Sequence, residues 1–87
     1  MNLDRDVVKT AIRQKIIELA ANLGFDASEL NDNDVIPATG LLDSAGILEL
    51  IVWYENEYNF PLKQEEINID NLGSVNAMIN FLLTHKK

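Results

Sequence analysis

The sequence contains no cysteine. Disulfides, cysteine-bound zinc, iron–sulfur ligation and a thiol nucleophile are therefore excluded from the chain's own chemistry. The only histidine is His85, in the tail, too little for a histidine metal site or a Ser-His-Asp triad. Lysine and arginine are absent from Ile16 to Leu62, a stretch that holds nine Asp and Glu residues. Such an acidic middle repels phosphate backbones and anionic lipid, which makes nucleic acid and membrane surfaces poor partners. Long apolar runs are also missing. The longest charge-free run, Asn71 to Thr84, spans fourteen residues, too short to cross a bilayer, and reads as a buried helix. No basic segment followed by an apolar one opens the sequence. The expectation is a soluble, cytoplasmic protein with no membrane span.

What is present points to one small domain covering residues 1–87. No internal repeat divides the 87 residues, and a chain of this size buries only roughly 60% of its unfolded surface. One thin core fits; a deep substrate cavity does not. A hydrophobic content of 47% is that of a globular protein rather than a disordered one. The net charge of −7 suits basic patches on other proteins, where it raises the encounter rate.

The apolar spacing predicts a helix over 4–23, with Leu3, Val7, Ala11, Ile12, Ile16, Leu19, Ala20 and Leu23 on one stripe. Asp4 and Asp6 favour its start and Gly24 its end. Residues 25–43, rich in Asp, Asn, Pro and Gly, read as a long connection. Phe25, Leu30, Val35, Ile36, Leu41 and Leu42 are too sparse for a further regular element and pin the loop to the core. A connection of this length in so small a domain is usually functional or mobile. A second helix is expected over 44–58, with Asp43 or Ser44 as N-cap. A short third follows Pro61 over 61–69, and a last one spans 74–85 with Val75, Met78, Ile79 and Leu82 on one face. Period-two alternation is absent. The fold class is therefore all-α: a small four-helix antiparallel bundle with a long loop between helices 1 and 2 and a short third helix.

On a wheel of about 100° per residue, Ile47, Leu50, Ile51, Tyr54 and Tyr58 form the core face of the second helix. Ala45, Leu48 and Val52 fall on a second apolar arc, with Glu49, Glu55 and Asn56 among or beside them. Trp53 lies on the other flank, either as a second core contact or as part of a docking surface. This arc reads either as the contact of a central helix with a second neighbour or, since acids interrupt it, as a docking face on which apolar side chains supply affinity and acids supply orientation.

Most chemical motifs fail. Asp32, Asp34 and Asp43 mimic the ends of an EF-hand, but Ile36 and Pro37 stand where an oxygen ligand and a glycine are needed. Leu42-Asp43-Ser44-Ala45-Gly46 has only the second glycine of a nucleophile elbow. Phosphate-binding and dinucleotide fingerprints are absent. No metal site and no catalytic residue are assigned, and the chain is not read as an enzyme. Ser44 remains. It is either an ordinary helix cap or an exposed hydroxyl at a helix N-terminus, where free N–H groups and the dipole favour a phosphate. Ser28 lies inside the acidic loop, and Ser74 has no comparable docking helix behind it.

At Gly40-Leu41-Leu42-Asp43-Ser44 the sequence resembles the acyl carrier proteins, whose hallmark is Asp-Ser at the start of the second helix. The resemblance extends through Ile47-Leu48-Glu49-Leu50-Ile51, Glu55-Asn56-Glu57-Tyr58, Phe60-Pro61 and Asn71-Leu72-Gly73-Ser74-Val75, and so covers nearly the whole chain. It implies that Ser44 receives 4′-phosphopantetheine from coenzyme A, and that a phosphopantetheinyl transferase engages Asp43. It also implies that Ala45, Leu48, Glu49, Val52 and Glu55 dock partners with basic patches: a loading ligase and downstream transferases or synthases. Ala45 stands where the family usually has Leu or Met, and Gly46 where fatty-acid carriers usually have an acid. Gly46 after Leu-Leu-Asp-Ser looks more like the D-alanyl and other stand-alone carriers. The resemblance thus implies a monomeric acyl or aminoacyl carrier with its cargo held as a thioester. The alternative is an unmodified acidic helical adaptor in which Ser44 only caps; a cation-binding regulator is the third reading.

Overall fold

A computed structural model describes residues 4–85. Leu3, expected on the first apolar stripe, lies outside them. Secondary structure within this range is helical throughout: α1 (Arg5–Asn22), α2 (Ile36–Thr39), α3 (Ser44–Glu57), a 3-10 turn over Gln64–Glu66, α4 (Ile69–Leu72) and α5 (Val75–His85). The all-α expectation stands; the count of four does not, since five α-helical segments occur among the described residues. α1 packs against α3 and α5, and α4 packs against α5.

The Asp4 carboxylate accepts the Asp6 and Val7 amides and starts α1. The helix buries Val8, Ile12, Ile16, Leu19 and Ala20. Val7 is 66% exposed rather than buried, because it sits about 100° around the helix from Val8. Leu23 is also exposed: it is the C-cap, where the chain turns off the axis. The exit is a Schellman motif. The Phe25 amide donates to Ala20 and the Gly24 amide to Ala21, with Gly24 at φ +85°. α3 ends the same way. Phe60 donates to Glu55 and Asn59 to Asn56, with Asn59 at φ +48°.

The long connection is better ordered than its sequence suggests. Leu30, Ile36 and Leu42 are buried as expected, and so is Ala27, whereas Phe25 and Val35 stay exposed. The turn α2 was not expected. It buries only Ile36, so no periodicity announces it. Pro37 in its first turn and Gly40 in the left-handed C-cap conformation set its bounds. A polar clasp holds the rest. Arg13 donates to the Leu30 carbonyl at 2.6 Å and to the Asp32 carboxylate at 2.9 Å. Lys9 pairs with the other Asp32 oxygen at 3.0 Å. The Asp32 carbonyl accepts the Asn76 amide, and Ile36 donates to Gly73, so the loop is fastened to both α1 and the α5 side. The Lys9 hydrogen bond, helped by Arg13 and opposed by partial burial, holds the Asp32 carboxyl below its usual range.

The expected helix over 61–69 is broken in two. Asn68 caps α4 by accepting the Asn71 amide and reaches back to the Glu65 carbonyl, competing with continuous helical bonding. α5 matches its expectation. Val75, Met78, Ile79 and Leu82 are buried, joined by Phe81, and the Ser74 hydroxyl caps the helix at the Ala77 amide. Tyr54 is fully buried and donates to the Met78 carbonyl, linking α3 to α5. Burial pushes its phenol pKa upward, with the neighbouring Tyr58 adding to the shift. Trp53 is half-buried and stands edge-on to Tyr58. With Ala11, Gln14, Lys15, Ile17 and Glu18 it lines a shallow recess of about 350 Å³ between α1 and α3. Among the described residues no buried side-chain polar atom lacks a partner.

A Cβ added at Gly24 would meet nothing within 4 Å, so Gly24→Ala isolates the cost of the left-handed backbone. Its denaturation midpoint should fall by an amount equivalent to about 1–2 kcal/mol.

Candidate functional site

Leu42 is buried and anchors the chain immediately before α3. The next residue, Asp43, has an extended backbone (φ −85°, ψ −178°), and its Oδ1 accepts the Gly46 amide at 2.7 Å. Asp43 is thus the N-cap, which decides between the two residues the sequence left open. Ser44 becomes the first helical residue. It is exposed, and its hydroxyl makes no hydrogen bond among the described residues. The Ser44 and Ala45 amides are likewise unpaired donors of the first turn. A phosphoester on the Ser44 oxygen would lie beside these donors and the positive end of the helix dipole. Ser74, by contrast, has its hydroxyl occupied in capping α5, and Ser28 lies in an Asx turn closed by Asp26.

Gly46 is buried under this turn. A Cβ there would come 3.2 Å from the Asp43 Oδ1 and 3.4 Å from the Leu42 side chain. The glycine therefore fits the close approach of the cap and Leu42, a role that motif reading missed. A small residue three positions after the cap was the available signal.

Of the residues expected to face partners, Ala45, Leu48, Glu49 and Val52 are brought together on one exposed stripe of α3. Leu48 is 61% and Val52 46% exposed. Glu55 differs. It is half-buried, and its Oε2 accepts the Leu62 amide at 2.8 Å. On the opposite face, Leu50 and Tyr54 are buried, while Ile47, Ile51 and Tyr58 are partly buried against the core. Trp53 joins that packed set.

The cation reading finds no support. Asp32 is paired with Lys9 and Arg13, and Asp34 accepts the Asn31 amide. No group of three or more potential metal ligands occurs among the described residues. No described helix is long and apolar enough to cross a membrane.

Comparison with known proteins gives a family. The chain is 36% identical over 70 residues to a D-alanyl carrier protein of Streptococcus pyogenes serotype M5 (strain Manfredo), covering 79% of this chain and 87% of the relative. It is 33% identical over 69 residues to a D-alanyl carrier protein of Streptococcus sanguinis (strain SK36), covering 78% and 86%. No family model and no solved structure matches. The chain belongs to the carrier protein family represented by these D-alanyl carrier proteins.

Because Asp43 does the capping, Ser44→Ala should change stability by less than about 0.5 kcal/mol. Asp43→Ala should lose about 1 kcal/mol. Paired chemical denaturation curves test both values.

Proposed function

We propose that the protein is a non-catalytic aminoacyl or acyl carrier whose cargo travels as a thioester on 4′-phosphopantetheine attached to Ser44. The observation that carries this reading is the division of labour at the start of α3: Asp43 caps the helix, and the Ser44 hydroxyl is left exposed and uncommitted. The arm supplies the thiol that a cysteine-free chain lacks. Ser44 offers its oxygen to the phosphopantetheinyl transferase, and the unpaired amides of the first turn stabilise the phosphate that results. Asp43 keeps the turn in shape through its bond to the Gly46 amide. The names of the streptococcal relatives favour an aminoacyl cargo, D-alanyl in the first instance.

In this reading the partners are the transferase, a loading ligase and the enzymes that receive the cargo in the cytoplasm. They meet the monomer at Ala45, Leu48, Glu49 and Val52. Apolar contacts supply adhesion, and the surrounding negative charge steers basic surfaces into place.

Intact mass after incubation with coenzyme A, magnesium and a broad-specificity phosphopantetheinyl transferase is the direct test. A gain of one phosphopantetheine unit that disappears in Ser44→Ala is expected. A folded, initially unmodified protein that gains nothing would instead be the unmodified adaptor. A second measurement addresses docking. Glu49→Lys should slow arm attachment more at about 0.01 M than at about 1 M salt; a defect independent of salt would remove the electrostatic part of the proposal.

A further inference from the structure

We propose that the polar recess along α5 binds a neutral saccharide. The recess measures about 400 Å³, inside the range of about 300–1,000 Å³ found for small-molecule sites. α5 supplies most of its lining, the long connection supplies Asn33, and α4 supplies Asp70 and Asn71. No residue of α3 lines it, so the site is separate from Ser44 and independent of the carrier reading. Four asparagines face one carboxylate, Asp70, and one imidazole, His85, with no lysine or arginine in the lining. A single acid is too little to hold a cation. The net charge of −7 disfavours an anion. Amides and hydroxyls remain, and they suit an uncharged ligand rich in hydroxyl groups.

The asparagines are set in place by the chain around them. Arg5 Nη1 donates to Asn80 Oδ1 at 2.8 Å. A guanidinium can only donate, so this contact fixes which end of the Asn80 amide is oxygen. Asn80 Nδ2 is left as a donor with no partner among the described residues. Arg5 forms no ion pair among those residues; in an acidic chain its guanidinium is given to an amide. Asn71 is set the opposite way. Its Nδ2 donates to the Glu66 carbonyl at 3.0 Å, which leaves Oδ1 as an acceptor. Asn33 and Asn76 bond each other at 2.6 Å. Whichever way that pair is turned, it keeps one NH2 group and one carbonyl for a ligand. The Ser74 hydroxyl accepts the Ala77 amide and retains its proton to donate. Donors and acceptors held side by side match sugar hydroxyls, each of which donates one bond and accepts others. Phe81 and His85, with ring centroids 4.3 Å apart, add an aromatic element to the lining. The negative face of such a ring attracts the carbon-bound hydrogens of a sugar.

The asparagine side-chain NH2 groups give their own NMR signals, so the site can be read directly. The full chain is titrated separately with D-glucose, D-galactose and N-acetyl-D-glucosamine, and with inorganic phosphate as a charged control. At least one sugar should move the Asn71 and Asn80 signals saturably, with half-saturation at about 1–10 mM, the affinity of a few hydrogen bonds on an open surface. Phosphate should move neither. Asn80 is exposed and its only described side-chain bond is to Arg5, so Asn80→Ala folds; it should weaken the sugar about tenfold. Arg5 is a positioning residue. Arg5→Ala should weaken binding about threefold by freeing the Asn80 amide to turn, and Arg5→Lys, which keeps a donor, should restore most of the loss. No saturable shift with any of the three sugars overturns the proposal. So does sugar binding that is unchanged in Asn80→Ala, which would place the ligand elsewhere. Saturation by phosphate in place of the sugars overturns the assignment of a neutral ligand.

Discussion

The hydrogen bond from the Gly46 amide to the Asp43 carboxylate fixes the first residue of α3. A start one residue later would turn Ser44 into the cap and draw its hydroxyl onto a backbone amide, as happens to Ser74 at the head of α5. The bond is short because Gly46 has no Cβ to hold Asp43 and Leu42 away. Leu42, buried just upstream, keeps the turn from sliding. Three adjacent positions therefore do three separate jobs: Leu42 anchors, Asp43 caps and Ser44 is presented.

Presentation also requires that the loop leading to this turn be held, and a thin core cannot do that alone. Ala27, Leu30 and Ile36 bury their side chains, but the connection carries many backbone polar groups that need partners. The clasp of Arg13 and Lys9 on Asp32, and the amide bonds from Asn76 and Ile36, supply several of them. The clasp also occupies two α1 cations close to home. The acidic surface of α3 is left without a neutralising neighbour on its own helix, which is the electrostatic condition that docking by steering needs.

Much of this was legible in the residues. Helix periodicity located α1 and α5 within a residue or two, and Gly24 marked the end of the first. The faces of α3 sorted correctly at Leu50 and Tyr54 in the core and at Leu48 and Val52 outside. The failures have physical causes. α2 is one turn with one buried side chain, too short to show a period. The 61–69 segment has helical composition, yet the Asn68 side chain bonds locally and divides it. Asp43 and Ser44 are both good caps, and only the geometry of the preceding turn chooses between them. Helix spacing puts Glu55 beside the apolar arc with Glu49, and its bond to the Leu62 amide, which depends on how the chain folds back seven residues later, has no signal in that spacing.

The recess between α1 and α3 has one further consequence. Trp53 is the only tryptophan in the chain, and it lies where the two helices meet, with Tyr58 against its ring and Lys15 and Glu18 at the rim. The protein thus contains its own optical gauge. Indole emission follows the polarity around the ring, so a separation of α1 from α3 that lets water reach Trp53 shifts the emitted light to longer wavelength. The spacing of the two helices can be followed in solution without attaching a dye.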